Sequence, residues 1–120
     1  VLGRASREAI EDARTQVGLM LGADRTEIVF TSGGTESNNF ALKGVAFRGA
    51  HSPQGHLVIS AIEHPAIHEP AQFLENMGWE LTIVPCNARG VVEPEAISEA
   101  LREDTRLVSV MHSNNEIGTL

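Results

Sequence analysis

A single cysteine, Cys86, in 120 residues leaves no internal disulfide framework and no four-cysteine metal site. That usage agrees with a reducing compartment, and a cytoplasmic location is the default expectation. Basic residues are also scarce. Nine Lys and Arg stand against sixteen Asp and Glu, for a formal charge of −7, and Lys43 is the sole lysine. Nucleic acids and anionic membranes need concentrated positive charge, so neither is an expected partner. No apolar run approaches the length that spans a bilayer, and the opening Val1-Leu2-Gly3-Arg4-Ala5 lacks the organisation of a secretory signal. The common nucleotide loops are missing too. No glycine-rich turn ends in Gly-Lys-Ser/Thr, and none carries the glycine spacing of a dinucleotide site. There is no internal repeat, low-complexity tract or linker, so the sequence offers no boundary within residues 1–120.

What is present is ordinary globular composition, 42% hydrophobic and 21% charged. Four apolar, largely β-branched runs recur along it: Ile28-Val29-Phe30, Leu57-Val58-Ile59, Leu81-Thr82-Ile83-Val84 and Leu107-Val108-Ser109-Val110-Met111. Consecutive apolar positions suit strands covered on both faces, and the stretches between them have helical character. The expected fold class is α/β: a mostly parallel sheet in a three-layer α/β/α sandwich. Helices are expected over 6–21, with a stripe of Ile10, Ala13, Val17, Met20 and Leu21 closed by Gly22, and over 35–48 and 70–76. A fourth begins around Pro94, with Glu95 facing its positive end. Turns are expected at Asn87-Ala88-Arg89-Gly90 and at Ala50-His51-Ser52-Pro53-Gln54-Gly55. Both ends look cut, and the chain is expected to be a piece of something larger.

The most informative segment is Phe30-Thr31-Ser32-Gly33-Gly34-Thr35-Glu36-Ser37-Asn38-Asn39. Gly33 and Gly34 let backbone N–H groups approach an anion, Thr35 adds a hydroxyl, and the following helix start carries partial positive charge. The same turn also serves as a plain loop before a capped helix. In an open parallel sheet, ligands gather beyond the carboxyl ends of strands. The residues found there are Gly33-Gly34-Thr35, Glu63-His64, Pro85-Cys86 and His112-Ser113-Asn114-Asn115-Glu116. Phosphate donors, an imidazole and amides are thereby expected at one edge.

Taken with Gly3-Arg4 and the helix Ala9-Ile10-Glu11-Asp12-Ala13-Arg14, with Glu63-His64-Pro65-Ala66, and with Met111-His112-Ser113-Asn114-Asn115-Glu116-Ile117-Gly118, that segment resembles the cysteine desulfurases and selenocysteine lyases. These are pyridoxal-phosphate enzymes of the class V aminotransferase group, and the resemblance covers essentially the whole chain. It implies part of a cofactor-binding large domain of the aspartate-aminotransferase-like fold. It implies that Gly34 and Thr35 hold the phosphate of pyridoxal 5'-phosphate, that His64 stacks on the pyridine ring and is the catalytic-site imidazole, and that Asn115 lies near the phenolic oxygen and the substrate carboxylate. Asn114 and Glu116 are assigned to shaping the loop. The implied activity removes sulfur from L-cysteine, giving L-alanine and an enzyme persulfide for an iron–sulfur scaffold or other acceptor protein, in a homodimer. A selenocysteine lyase, another class V aminotransferase-type enzyme, and a noncatalytic phosphate-binding α/β module are the alternatives.

The remaining reactive side chains receive plainer readings. His64 and His68 have the four-residue spacing of metal ligands, but Pro65 and Pro70 are expected to interrupt the segment, and no metal site is assigned. His51 and His56 are read as solvated residues beside a loop. Cys86, at a strand end, is read as a small buried apolar residue and not as the sulfur-accepting nucleophile. Lys43 lies eight residues beyond Thr35, about 12 Å further along a helix, and is read as a surface lysine and not the Schiff-base residue. The family's lysine, reactive cysteine, aspartate, glutamine and substrate arginine are expected beyond Leu120, so the chain alone is expected to be inactive.

Overall fold

The structure, a computed structural model, describes residues 2–48 and 54–120. Its contacts divide the chain into two compact units, Val1–Ser32 and Gly33–Leu120. His51 and most of the turn expected around it lie outside the described residues.

In the first unit, helix α1 runs Leu2–Leu21, four residues earlier than expected. Gly22 ends it in the left-handed region at φ 67°, where a side chain would be strained, and Ala23 N–H returns to the Gly18 carbonyl at 2.9 Å. The apolar stripe is largely exposed in this unit: Ile10, Met20 and Leu21 are 49%, 77% and 64% exposed. A single 3-10 turn, Arg25–Glu27, follows under a reciprocal capping box between Asp24 and Glu27. Ile28-Val29-Phe30, expected as a strand, is not one. Its backbone and side chains are occupied by Arg14 instead: the guanidinium donates to the Ile28 carbonyl and lies 5.2 Å from the centre of the Phe30 ring.

The second unit carries the sheet. Its elements are α2 (Gly34–Ala46), β1 (His56–Ser60), α3 (Pro65–Asn76), β2 (Glu80–Val84), α4 (Pro94–Ala100) and β3 (Thr105–Ser109). The three strands are parallel in the order β2-β1-β3, so the α/β parallel architecture stands with three strands in place of four. Leu57 pairs with Leu81 and Leu107 in register, with an irregularity between His56 and Leu57 that skips Arg106. All five residues of β1 are buried, as befits a central strand covered on both faces. Leu57 and Ile59 meet Leu42 and Ala46 of α2 and Ile67, Ala71 and Leu74 of α3, with Trp79 closing the cluster. On the opposite face His56, Val58 and Ser60 are equally buried, and α4 packs against β2.

Three local expectations are corrected. Helix α3 is longer than expected because Pro65 sits at its first position, where a missing N–H costs nothing, and the helix continues through Pro70. His56 is not solvated but fully buried. Its Nδ1 and Nε2 lie 2.9 and 2.8 Å from the hydroxyls of Thr105 and Thr82. Cys86 is half-buried and not a fully buried strand end. No helix among the described residues is long and apolar enough to cross a membrane.

Candidate functional site

A β2-β1-β3 order means that the chain leaves β1 first to one side and later reaches the other, so connections diverge between β1 and β3. Such a switch point opens a crevice beyond the carboxyl ends of the two strands. The loops that leave those ends carry Glu63-His64 and Asn114-Asn115-Glu116, and they enclose a cavity of 250 Å³ lined by Ala61 to Pro65 and by Asn114 to Ile117. His64 and Asn115 therefore line one hollow.

His64 also borders a second cavity, of 430 Å³, between α2 and α3. Thr35, Asn39 and Lys43 form its α2 wall at successive turns of the helix, and Glu69 and Phe73 lie on its α3 wall. His64 thus lines one cavity with Thr35 and another with Asn115. The start of α2 is suited to an anion: Gly33 is its N-cap residue and makes no side-chain cap, and a Cβ placed on Gly33 or Gly34 would meet nothing within 4 Å. First-turn N–H groups together with the helix dipole favour negative charge there.

The loop between β1 and α3 is held firmly. Ser60 Oγ donates to Glu63 Oε1 at 2.8 Å, both residues being buried, and Glu63 N–H donates to the Ser60 carbonyl at 3.3 Å. The sequence reading did not single out this pair, although Ser60-Ala61-Ile62-Glu63 has the Ser-x-x-Glu spacing at which such a pair closes before a helix. Asn114 ties the two loops together. Its Nδ2 donates to the Ile62 carbonyl at 3.0 Å, while its Oδ1 accepts from the N–H groups of Glu116 and Ile117 at 2.8 and 3.0 Å. Asn114 is thus the residue that shapes the loop, and Asn115 is left exposed on it.

His64 is the N-cap of α3, with φ −66° and ψ 151°, and its Nδ1 accepts from Ala66 N–H at 3.0 Å. The ring is otherwise exposed, so a flat ligand has access to it. His68 lies one turn further along α3. Among the described residues no three His, Cys, Asp or Glu side chains are grouped to hold a metal ion. Lys43 is half-buried with its ammonium 5.0 Å from the centre of the Phe73 ring.

A parallel sheet in the order β2-β1-β3 with helices packed against it places the molecule among the α/β proteins. The sequence profile of the family described as Aminotransferase class-V matches residues 1–120. The chain belongs to that family. It is 53% identical over 119 residues to cysteine desulfurase IscS of Dictyoglomus turgidum, covering 98% of this chain and 30% of that protein. It is 46% identical over 120 residues to cysteine desulfurase IscS of Methanosarcina thermophila, covering 99% and 29%. Among solved structures, a NifS-like protein superposes with a TM-score of 0.89 at 38% identity, over 100% of this chain and 33% of its own. The structure of SspA in complex with cysteine gives 0.88 at 40% identity, over 98% and 34%. The chain spans about a third or less of the proteins it matches.

Proposed function

We propose that these residues are the phosphate-and-ring side of a pyridoxal 5'-phosphate site in a cysteine desulfurase acting on L-cysteine. The observation that carries this reading is the position of His64, which borders one cavity with Thr35 and the other with Asn115. The residues fit the group. A helix start with open space over two glycines suits a phosphate dianion, an exposed imidazole suits an aromatic ring, and a neutral amide suits a phenolic oxygen or a carboxylate. When bound, pyridoxal phosphate supplies an electron sink that the protein itself lacks.

The residues of this chain hold and orient. Gly34 and Thr35 grip the phosphate through N–H and hydroxyl donors, His64 covers one ring face, and Asn115 fixes an oxygen at the ring's edge. Sulfur acceptance, the Schiff-base lysine and the substrate arginine belong to other parts of the intact protein in this reading, as do delivery to an iron–sulfur scaffold, a homodimeric state and a cytoplasmic location.

Substituting Thr35→Ala in the intact protein removes a hydrogen bond to a charged group, worth about 1.5–3 kcal/mol. Affinity for pyridoxal phosphate is therefore expected to fall about 10- to 100-fold, measured by titrating the apoprotein and following cofactor absorbance, with sulfide release from L-cysteine lost in parallel at limiting cofactor. Unchanged cofactor affinity would sink the assignment.

A further inference from the structure

His64 is fixed by hydrogen bonds of both its ring and its backbone. Its Nδ1 lies 3.0 Å from the backbone nitrogen of Ala66, and a backbone amide can only donate. The partner therefore settles what a ring nitrogen usually leaves open: Nδ1 carries a lone pair, and the proton of the neutral ring sits on Nε2. The neighbouring sequence dictates this arrangement. Pro65, at the first helical position, has no N–H, so Ala66 presents the first donor of α3 that needs a cap, and the imidazole is its acceptor. The His64 carbonyl meanwhile accepts from the N–H groups of Ile67 and His68 at 2.8 and 3.2 Å, which binds the residue's backbone to the same helix turn. From the other side, the Ser60–Glu63 hydrogen bond and the Asn114 bond to Ile62 hold the incoming loop.

We propose that His64 serves the reaction as a neutral hydrogen-bond donor through Nε2–H, locked in that tautomer by the cap of α3, and is not the proton acceptor. This rests on the pyridoxal-phosphate reading above. A proton placed on Nδ1 would set two donors against each other and strip the cap from α3, and Nε2 has no lone pair to offer while it carries hydrogen. What the side chain can present to a ligand in either cavity is one ring face and one N–H. That selects an oxyanion or carbonyl oxygen as its partner.

Two measurements on the intact protein test this. In protein labelled with 15N-histidine, long-range 1H–15N correlations of the His64 ring should show Nε2 protonated and Nδ1 bare, with and without bound cofactor; a ring protonated on Nδ1 overturns the proposal. The second compares His64→Asn with His64→Asp. Both side chains cap a helix well, but the amide retains a donor and cannot act as a base, whereas the carboxylate is an acceptor without a donor. The Asn variant should turn over L-cysteine at least tenfold faster than the Asp variant, with both melting near the parent protein. Equal rates or the reverse order would overturn the donor role. Failure of the wild-type protein to bind pyridoxal phosphate would count against the cofactor reading instead, and the ring spectrum would still decide the tautomer.

Discussion

His56 opens β1 with its ring fully buried between two threonine hydroxyls, one from each neighbouring strand. Burial pushes its pKa below the ordinary value of 6.5, and the nearby Arg102 charge acts in the same direction, while Asp104 and Glu80 pull back more weakly. The unfolded chain therefore takes up this proton more readily than the folded one. Stability is fully present above about pH 6.5 and drains away as pH falls from there toward the depressed folded value. The paired Asp104, held down by its hydrogen bond from Arg102, loses its contribution only in a separate, more acid window below 3.8. Thermal unfolding should thus show a midpoint that drops between pH 7.5 and 5. His56→Gln removes the titration while keeping an amide between the two hydroxyls. Its unfolding midpoint should be lower at pH 7.5, by the equivalent of about 1–2 kcal/mol, and flatter with pH over that range. A slope unchanged from the parent protein would show that His56 does not set it.

At the scale of elements, the loop after β3 depends on one side chain. The Asn114 side chain makes three hydrogen bonds, two closing its own turn and one reaching the β1–α3 loop, beside the backbone bonds from Asn114 N–H to the Thr119 carbonyl and from Gly118 N–H to the Asn114 carbonyl. Asn114→Ala should cost about 1–3 kcal/mol and raise hydrogen exchange at the Glu116 and Ile117 amides. Cofactor affinity should weaken through the misplaced Asn115, while the α3 amides beyond the His64 cap keep their protection. Exchange unchanged at Glu116 and Ile117 would remove Asn114 from that role. The loop-shaping place of Asn114 was readable in the sequence, because the family resemblance gave it that position. So were the three strands and the four α-helices of the described residues, since β-branched runs and helical periodicity mark such elements even where, as in α1, the apolar stripe stays exposed. Ile28-Val29-Phe30 misled because apolar composition does not supply a neighbouring strand, and Arg14 took up its carbonyl and ring instead. His56 misled because a histidine beside a glycine-containing loop looks solvated until the flanking threonines of β2 and β3 are brought to it. Pro65 and Pro70 misled for a different reason: proline punctuates a pattern equally at a helix start and at a break, and here the first of them is a start.

For the whole molecule, the decisive fact is that the chain spans about 30% of its curated relatives. It supplies one lysine, and that lysine is placed for packing. Lys43 stands two turns beyond Thr35 on the α2 wall of the larger cavity, and its ammonium rests over Phe73, which offers it a cation–π partner and no general base to strip its proton. A Schiff-base lysine must instead reach the aldehyde of a ring held beside His64, with an amine free to attack it. The 120-residue chain by itself should therefore bind pyridoxal phosphate only weakly and leave no stoichiometric adduct after borohydride reduction, whereas the intact protein should be reduced to one adduct per chain on a lysine outside these residues. Absorbance before and after reduction, followed by peptide mass mapping, distinguishes the two. A full equivalent of reduced cofactor on Lys43 would place the Schiff base within this chain and overturn the division of the site that the geometry around His64 supports.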